Sequence, residues 1–341
     1  MASTITDVAR LAGCSIKTVS RVVNNEEHVT PQTRARVLAA IRTLGYAPNI
    51  AARRLVQQKA STLCILMYPG FFQPASAVLS RILDLGYEEA YDIFIQPFYP
   101  TFPESRNRLV NAIYERRFDG FVTTPPCDAD GFVAELLTTY KMPLVQVDPL
   151  DRSSRLPYVA GDDFAGARAA AEHLLALGHR RIAFLLGPRN LRSSTDRLNG
   201  YRAALEAAGI PFDPQLALPT EFNFDGGCTA ARLLLQNPPE TRPTAIFAGS
   251  DEAAYGALFA AQELGLRIPA QLSVCGYGDL PFSAHIWPGL TTIHQPAEEL
   301  LERAVRLLID FLKGASPELH LTLPSRLVAR ASTGPVENID L

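Results

Sequence analysis

Short apolar runs alternate with helical stretches along most of the chain, from residue 61 onward. The strand-like runs are Leu63–Tyr68, Asp92–Pro97, Gly120–Thr124, Pro143–Asp148, Tyr158–Gly161, Arg181–Gly187, Thr244–Gly249 and Leu272–Tyr277. The helical stretches fall at about 75–90, 104–117, 129–140, 164–178, 194–208, 226–236, 251–264 and 297–313. This alternation predicts two doubly wound subdomains of parallel strands and crossover helices. Because ligands of such sheets bind beyond the carboxyl ends of the strands, two facing sheets would enclose a binding cleft.

The charge of the chain is divided unevenly. Residues 1–59 contain nine Lys and Arg against three Asp and Glu, a net charge of +6, whereas the rest of the chain carries 23 basic and 32 acidic side chains. A small cationic region on a large anionic body indicates a polyanionic partner for that region. A solvated basic face explains the charge alone equally well.

Two short helices joined by a sharp turn are predicted in residues 6–24. Gly13 can adopt the positive φ that the turn requires, and Ser15 is a good N-cap for the second helix. The apolar side chains that can pack between the two helices are Val8, Leu11, Ala12, Val19, Val22 and Val23. This spacing is typical of a helix-turn-helix, although an ordinary αα-hairpin can share it. Together with the +6 charge, it predicts DNA binding.

A third helix and a marginal fourth follow. Thr30 and Pro31 suit the start of the third helix, and Gly45 suits its end. Its expected buried stripe is Val37, Leu38, Ile41 and Leu44. After Asn49, residues 50–57 can form one or two helical turns, which is too short for a stable isolated helix. This segment therefore needs a partner to fold.

Motifs along the chain point to one known family. They are Thr4–Ala9, Val19–Asn24, Val29–Thr30, Thr33–Arg34, Gly45–Asn49, Ala52–Leu55, Asp119–Gly120, Gly178–Phe184, Arg197–Tyr201, Pro243–Ala248 and Leu290–Pro296. In these motifs the chain resembles the lac repressor / gal repressor family of bacterial transcriptional regulators. The resemblance implies a periplasmic-binding-protein-like body whose subdomains are joined by three crossings, near 160, 291–296 and 321–324.

Three parts are therefore expected. Residues 1–48 form an all-α helix-turn-helix DNA-binding domain, residues 49–60 a hinge helix and linker, and residues 61–341 an effector-binding and dimerisation body. The two α/β subdomains of the body are expected at about 61–160 with 292–322, and at about 161–291 with 323–341.

Three side chains near the start of the second helix are the expected base contacts. The N-terminal residues of a recognition helix reach base edges, which nominates Ile16, Lys17 and Arg21. Arg21 can donate two hydrogen bonds to guanine, and Lys17 contacts either the same acceptors or a phosphate. Ile16 either meets a thymine methyl group or is a structural staple. The donors suited to the DNA backbone are Thr4, Ser15, Thr18, Asn24, Thr33 and Tyr46.

The resemblance gives the 50–57 segment a specific task. In this family it folds only on DNA, pairs with its twin and drives a leucine into the minor groove, which implies that role for Leu55. Ordinary linker packing is the alternative for Leu55. Because two hinges must meet, a homodimer and a nearly palindromic double-stranded operator are expected.

The resemblance also places a small effector in the cleft, where it alters operator affinity. The residues at the corresponding positions are Asp148, Ser193, Arg197, Phe222, Ser250 and Asp279. Arg197 offers donors for hydroxyls or a carboxylate, and Phe222 offers a flat face on which a sugar ring can stack. Each of the six can instead be a cap or a surface residue. Since sugars are the commonest effectors of the family, a carbohydrate or a derivative is expected.

Two departures from the family pattern blur the identity of the ligand. Gly278 stands where many members have an effector-binding acid, so Asp279 either compensates or only holds the local loop. The usual aromatic pair after Asn-Pro is absent, because Gln73-Pro74 precedes Ala75-Ser76. The other candidates for that wall of the pocket are Tyr68, Phe71, Phe72 and Thr124–Pro126.

Other classes of protein are disfavoured. The sequence has no phosphate-binding glycine loop, nucleophile elbow or zinc-type spacing, so neither an enzyme nor a metal or other cofactor is expected. The five scattered cysteines suit a reducing cytoplasm, and no export signal or membrane span is expected. A secreted solute receptor would need such a signal and no basic N-terminal region. A constitutive architectural DNA-binding protein would have no use for the large cleft-bearing body.

Overall fold

The computed structural model describes residues 3–23, 28–46, 60–69, 76–153 and 155–336. The predicted Asn24, Leu55, Phe71 and Phe72 contacts and the hinge lie outside these described residues. Two units are separated at Ala60, an N-terminal unit and a body that begins at Ser61. The finer domain boundaries expected from the sequence stay a prediction.

The N-terminal unit contains three helices, α1 (Ile5–Ala12), α2 (Ile16–Val23) and α3 (Pro31–Leu44). Thr4 caps α1 in a capping box with Asp7, and Gly13 ends it with a φ of 62°. The Ser15 hydroxyl accepts from the Thr18 N–H at the start of α2. These caps satisfy backbone groups that short helices otherwise leave without partners, so the cap residues determine where the helices begin and end.

The core of the N-terminal unit consists of small and β-branched side chains. Its buried members are Val8, Ala9, Ala12, Val19, Val22, Val37 and Ala40. Two sequence expectations are wrong here, because Leu11 and Leu38 are exposed. Ala40 occupies the buried face of α3 instead, since close approach of three short helices favours small residues at their contacts.

The first sheet of the body has the strand order β11-β5-β4-β3-β1-β2, with every pairing parallel. Its strands are β1 (Thr62–Met67), β2 (Asp92–Pro97), β3 (Gly120–Thr123), β4 (Leu144–Val147), β5 (Tyr158–Gly161) and β11 (His320–Leu323). Helices cover both faces, namely α4 (Ser76–Glu88), α5 (Pro103–Tyr114), α6 (Phe132–Thr139) and α11 (Ala297–Leu312). Two apolar clusters, one on each face, explain why these strands have near-continuous apolar sequences.

The second sheet repeats this plan with the order β12-β10-β9-β8-β6-β7. Its strands are β6 (Ile182–Leu186), β7 (Ala217–Pro219), β8 (Ala245–Ala248), β9 (Ser273–Gly278), β10 (Thr291–His294) and β12 (Arg326–Val328). Its helices are α7 (Asp163–Ala176), α8 (Arg192–Ala207), α9 (Phe224–Leu235) and α10 (Asp251–Glu263). β12 is antiparallel to β10, and the other pairings are parallel.

The chain passes between the two sheets three times. It leaves the first sheet after Gly161, returns after His294 and leaves again after Leu323. The second crossing follows β10, because β10 pairs with β9 and β12 of the second sheet. These crossings bring the carboxyl ends of both sets of strands to a shared region.

Candidate functional site

The helix α2 separates its core and surface residues sharply. Val19 and Val22 are buried, whereas Ile16 is 48% exposed and Lys17 is exposed. An isoleucine with half of its surface in solvent contributes little to the core of the N-terminal unit. The exposure of Ile16 therefore favours a surface contact over a structural staple. Arg21 is partly buried and interacts with its surroundings.

The described hydroxyl groups proposed for the DNA backbone lie near helix termini. Thr4 and Ser15 begin α1 and α2, and Ser15 shares a 2.9 Å hydrogen bond with Thr18. Thr33 lies in the first turn of α3, where its hydroxyl accepts from Thr30. Tyr46 packs on the edge of the core. Hydroxyl groups at helix N-termini suit phosphate contacts, because nearby N–H groups share the same direction of donation.

In the body, Arg197 of α8 joins residues of three segments that end near the crossings. Its side chain is nearly fully buried, and its Nε donates to Asp163 Oδ1 at 2.8 Å. Further N–H groups donate to the Gly249 carbonyl and, at 3.4 Å, to Gln295 Oε1. Burial opposes its charge, but Asp163 and Tyr277 outweigh burial and raise the Arg197 pKa. The guanidinium group therefore remains a fixed cation that joins α7, the end of β8 and the second crossing.

Aromatic rings frame this guanidinium group. The Arg197 carbon Cζ lies 3.7 Å from the centroid of the Tyr277 ring and 5.3 Å from that of Phe222. The Phe222 ring lies directly over Gly187, where an added Cβ would come within 1.9 Å of the ring. Glycine is therefore required beneath Phe222, and the ring presents a flat apolar surface beside a cation.

Three of the predicted effector residues have a left-handed backbone conformation. Asp148, Phe222 and Asp279 have φ values of 43°, 57° and 56°. Each residue follows the carboxyl end of a strand, namely β4, β7 and β9 respectively. Such conformations cost about 1–3 kcal/mol for residues other than glycine and accumulate at ligand sites.

Asp148 lies beside a second carboxylate. Its Oδ1 accepts from the Gly161 N–H at 2.8 Å and from Arg152 at 3.4 Å. Burial, followed by repulsion from Asp163, raises the pKa of Asp148 to about 7. This carboxyl group therefore changes charge near neutral pH.

An ion-pair network crosses the cleft. Arg152, on the loop after β4, lies 3.6 Å from Asp196 on α8, and Asp196 also accepts from Arg192 at 2.8 Å. Arg152 belongs to the side of the first sheet and Asp196 to the side of the second. The network therefore connects the two subdomains through partly buried charges.

Asp279 is held by two neighbours. Its carboxylate accepts from His294 Nδ1 at 3.0 Å and from Arg330 at 2.6 Å. The adjacent Gly278 has a φ of 136°, a conformation that an L-residue rarely adopts. An acid at position 278, as in many family members, would be strained in this backbone. The effector role of Asp279 stays a prediction, and the contacts shown are those that hold its loop.

The two predicted serines lie at helix starts. Ser250 caps α10, and its hydroxyl donates to the Phe222 carbonyl at 3.0 Å. Ser193 is partly buried in the first turn of α8. Ser250 thus holds the strained Phe222 backbone. The effector role of Ser193 stays a prediction.

Several residues of the cleft were missed by sequence reasoning. Asp163 begins α7 directly after its cap Asp162, and it is fully buried against Arg197. Arg152 and Gln146 were not singled out. Gln146 offered a signal, since a polar residue interrupts the apolar run Leu144–Val147. Asp163 and Arg152 offered no such signal, because only the fold brings them to their partners, Arg197 and Asp196.

Within the described part of the chain, no group of three or more His, Cys, Asp or Glu side chains is arranged to hold a metal ion. In the same residues, no helix combines the length and the apolar character that crossing a bilayer demands.

Comparison with known proteins places this geometry in context. The model of the lacI family of bacterial regulatory proteins matches residues 4–49, and that of a periplasmic binding protein-like domain matches residues 171–333. The transcriptional regulator CelR of Thermobifida fusca is 34% identical over 336 residues, which cover 96% of this chain and 98% of CelR. The ribose operon repressor of Escherichia coli is 34% identical over 315 residues, covering 90% and 92% of the two chains.

Solved structures agree with these relatives. The lac repressor dimer bound to operator and the anti-inducer ONPF has a TM-score of 0.86 at 29% identity, covering 98% of this chain and 100% of that chain. The complex of CelR with cellobiose has a TM-score of 0.73 at 30% identity, covering 97% and 99%. The helix-turn-helix unit and the paired α/β subdomains predicted from the sequence are thereby confirmed. The chain belongs to the lacI family of bacterial regulatory proteins and is a DNA-binding transcription regulator.

Proposed function

We propose that this regulator is a homodimeric repressor whose affinity for a nearly palindromic operator is controlled by a sugar or sugar derivative in the cleft. The observation that carries this proposal is the buried Arg197 cation, framed by Phe222 and Tyr277 at the meeting of two sheets. Sugars combine hydroxyl groups with an apolar ring face, so a guanidinium donor beside an aromatic surface matches both. The ligands named with related structures, cellobiose and ribose, agree with this class.

The N-terminal unit supplies sequence recognition. Ile16, Lys17 and Arg21 of α2 contact base edges, while Thr4, Ser15, Thr18, Asn24, Thr33 and Tyr46 contact the DNA backbone. The exposure of Ile16 supports the first assignment. Leu55 of a paired hinge enters the minor groove. Two copies of α2 in one dimer explain the palindrome, since twofold symmetry of the protein requires it in the site.

The body supplies control. The effector contacts Arg197, Phe222, Asp148, Ser193 and Ser250, with Asp279 at the edge of the same set. A ligand held between the subdomains competes with or reinforces the Arg152–Asp196 connection, and so shifts the equilibrium between two arrangements of the body. We place the protein in the cytoplasm, where the operator and the metabolite are found, and assign it no catalytic activity.

A ligand screen tests the proposal. A DNA library selected on the full-length protein yields the operator, and a thermal-shift screen of sugars and metabolites yields ligands. We expect a stabilising sugar to change operator affinity about 5–150-fold, the usual range of allosteric coupling. A ligand that stabilises the body without changing operator affinity contradicts the control. Equal, salt-dependent affinity for every DNA sequence contradicts specific recognition.

A further inference from the structure

A pocket that is open to solvent lies where β3 and β4 end opposite the start of α8. Its polar lining includes Asp128, Gln146 and Asp148 from the first subdomain and Asn190 and Arg192 from the second. Of these residues, only Asp148 belongs to the effector set predicted from the sequence. The others make this cavity a separate source of ligand selectivity within the cleft.

Gln146 is the unusual residue of this cavity. Its strand neighbours Val145 and Val147 belong to one apolar cluster, so the alternation of β4 directs Gln146 to the opposite face of the sheet. The side chain is 94% buried. Its Nε2 donates to Asp128 Oδ2 at 2.9 Å, whereas its Oε1 is buried and has no hydrogen-bond partner among the described residues. A buried amide oxygen without a donor is an acceptor available to a ligand.

Asp128 fixes the orientation of that amide. Its Oδ1 accepts from the N–H groups of Val133 and Ala134 at 2.9 and 3.1 Å, in the first turn of α6. An ionised carboxylate can only accept hydrogen bonds, so the NH₂ group of Gln146 must face it. The amide oxygen consequently faces away from Asp128, and it belongs to a residue that lines the cavity.

The charges around the cavity limit which donor can approach. Asp128 and Asp148 disfavour an anionic ligand on the side of the first sheet. Arg192, which pairs with Asp196, and Arg152, which pairs with Asp148, disfavour a cationic one. A neutral hydroxyl group donates without either repulsion.

We propose that Gln146 is a specificity-determining residue of the effector site, where its Oε1 accepts a hydrogen bond from a hydroxyl group of a neutral carbohydrate. This inference rests on the proposed function, because it assumes that the cleft binds the effector. It adds that sugar phosphates, sugar acids and amino sugars are rejected, and that one hydroxyl of the effector must act as a donor.

A calorimetric panel on the full-length protein without DNA tests the ligand class. The probes are D-ribose, D-glucose and cellobiose, with D-ribose 5-phosphate, D-gluconate and D-glucosamine as charged counterparts. At least one neutral sugar is expected to bind, with its charged counterpart weaker by about tenfold or more. Binding only by a charged member, or by no member of the panel, overturns the inference.

The variant Gln146→Met tests the residue. Methionine keeps the length of the side chain and removes the amide, so affinity for the neutral sugar should fall about tenfold. The unliganded melting temperature should change little, because removal of the unpaired Oε1 offsets loss of the hydrogen bond from Nε2 to Asp128. Gln262→Met, at an exposed position of α10, is the matched control and should bind as the wild type does. Unchanged affinity in Gln146→Met overturns the inference.

A second readout changes the ligand as well as the protein. Mono-deoxyfluoro analogues of the bound sugar replace one hydroxyl with fluorine, which cannot donate. One analogue should bind the wild type about tenfold more weakly than the parent sugar, and the two should bind Gln146→Met equally. If every analogue matches the parent on the wild type, the donor role is wrong. A sugar that binds through Gln146 but leaves operator affinity unchanged would instead reject the proposed function alone.

Discussion

The helix α2 and the cleft differ in how they hold their functional side chains: those of α2 are exposed, and those of the cleft are buried. Ile16 and Lys17 of α2 are exposed, and the core beneath them contains Val19 and Val22. In the cleft, Arg197 is nearly fully buried and pairs with the fully buried Asp163. The exposed side chains of α2 rest on an apolar core to which they do not belong, whereas the buried ion pair of the cleft is itself part of the folded interior.

This difference has a physical consequence. Exposed side chains can change with little effect on folding, because they make few contacts that unfolding would break. Buried charges cannot, since removal of one partner leaves the other desolvated and unpaired. We therefore expect substitutions on the exposed face of α2 to change DNA specificity at little cost in stability. Substitutions among the buried charges of the cleft should lower the stability of the body.

Arg197→Ala should produce the largest effect. Its loss leaves Asp163 charged and buried without a cation, and breaking such a pair costs about 3–5 kcal/mol. We expect a marked drop in the urea midpoint of the body, together with loss of effector binding. Arg202→Ala, on the exposed face of the same helix, is the control and should change the midpoint little. Equal midpoints for the two variants would contradict the structural role of Arg197.

Arg21→Ala tests the opposite behaviour in the N-terminal unit. Loss of a paired contact to guanine should weaken binding to the preferred operator by roughly 1–3 kcal/mol and relax specificity at one position. Thermal stability of the unit should change far less than in Arg197→Ala. Arg42→Ala, at an exposed site of α3, serves as the control for general loss of positive charge. Equal losses on operator and random DNA would remove the base-reading role.

Asp148→Asn tests pH dependence in the cleft. The folded-state pKa of about 7 lies above the ordinary value near 4, so the folded protein binds more protons than the unfolded chain between those values. Stability from this group is complete below about pH 4 and is lost as pH rises through 7. Between pH 5 and 8, the free energy of unfolding of the wild type should fall by about 2 kcal/mol more than that of Asp148→Asn.

Chemical denaturation at several pH values measures this difference. Asp310→Asn, an exposed carboxylate on α11, should run parallel to the wild type over the same range. If the stability of the wild type and that of Asp148→Asn change equally with pH, Asp148 is not the group that binds the additional proton in the folded protein.

Ile16→Ala should produce the smallest change. Removal of an apolar contact with a thymine methyl group should cost about 1 kcal/mol on operators with thymine at that position. The melting temperature should hold, because alanine favours the helix and Ile16 lies outside the core. A lower melting temperature with unchanged DNA affinity would instead identify Ile16 as a structural staple.

The sequence predicts much of this molecule because its signals are local. Gly13, Ser15 and Thr30 fix helix ends through their own backbone and hydroxyl groups, and apolar runs predict the buried strands of both sheets. The four strands that were not predicted by pattern, β7, β10, β11 and β12, are short or partly polar. They exist because a neighbouring strand supplies the hydrogen bonds, which periodicity in one segment cannot reveal.

The residues of the candidate site also fall into two groups, those that the sequence predicts and those that only the fold reveals. The family resemblance nominated Arg197, Phe222 and Asp148, and these three do meet in the cleft region. The roles of Asp163 and Gln146 depended on distant partners, namely an arginine 34 residues away and an aspartate 18 residues away. No short motif contains such pairs.

The sequence by itself determined the three-helix N-terminal unit, the alternating α/β body and their opposite charges, because each follows from periodicity, caps and composition over a few residues. Only the tertiary structure decided which polar groups are buried together, which backbone positions are strained and which buried amide oxygen is left without a hydrogen-bond donor among the described residues. Those properties arise from contacts between segments far apart in the chain, and their energies depend on burial that exists only after folding.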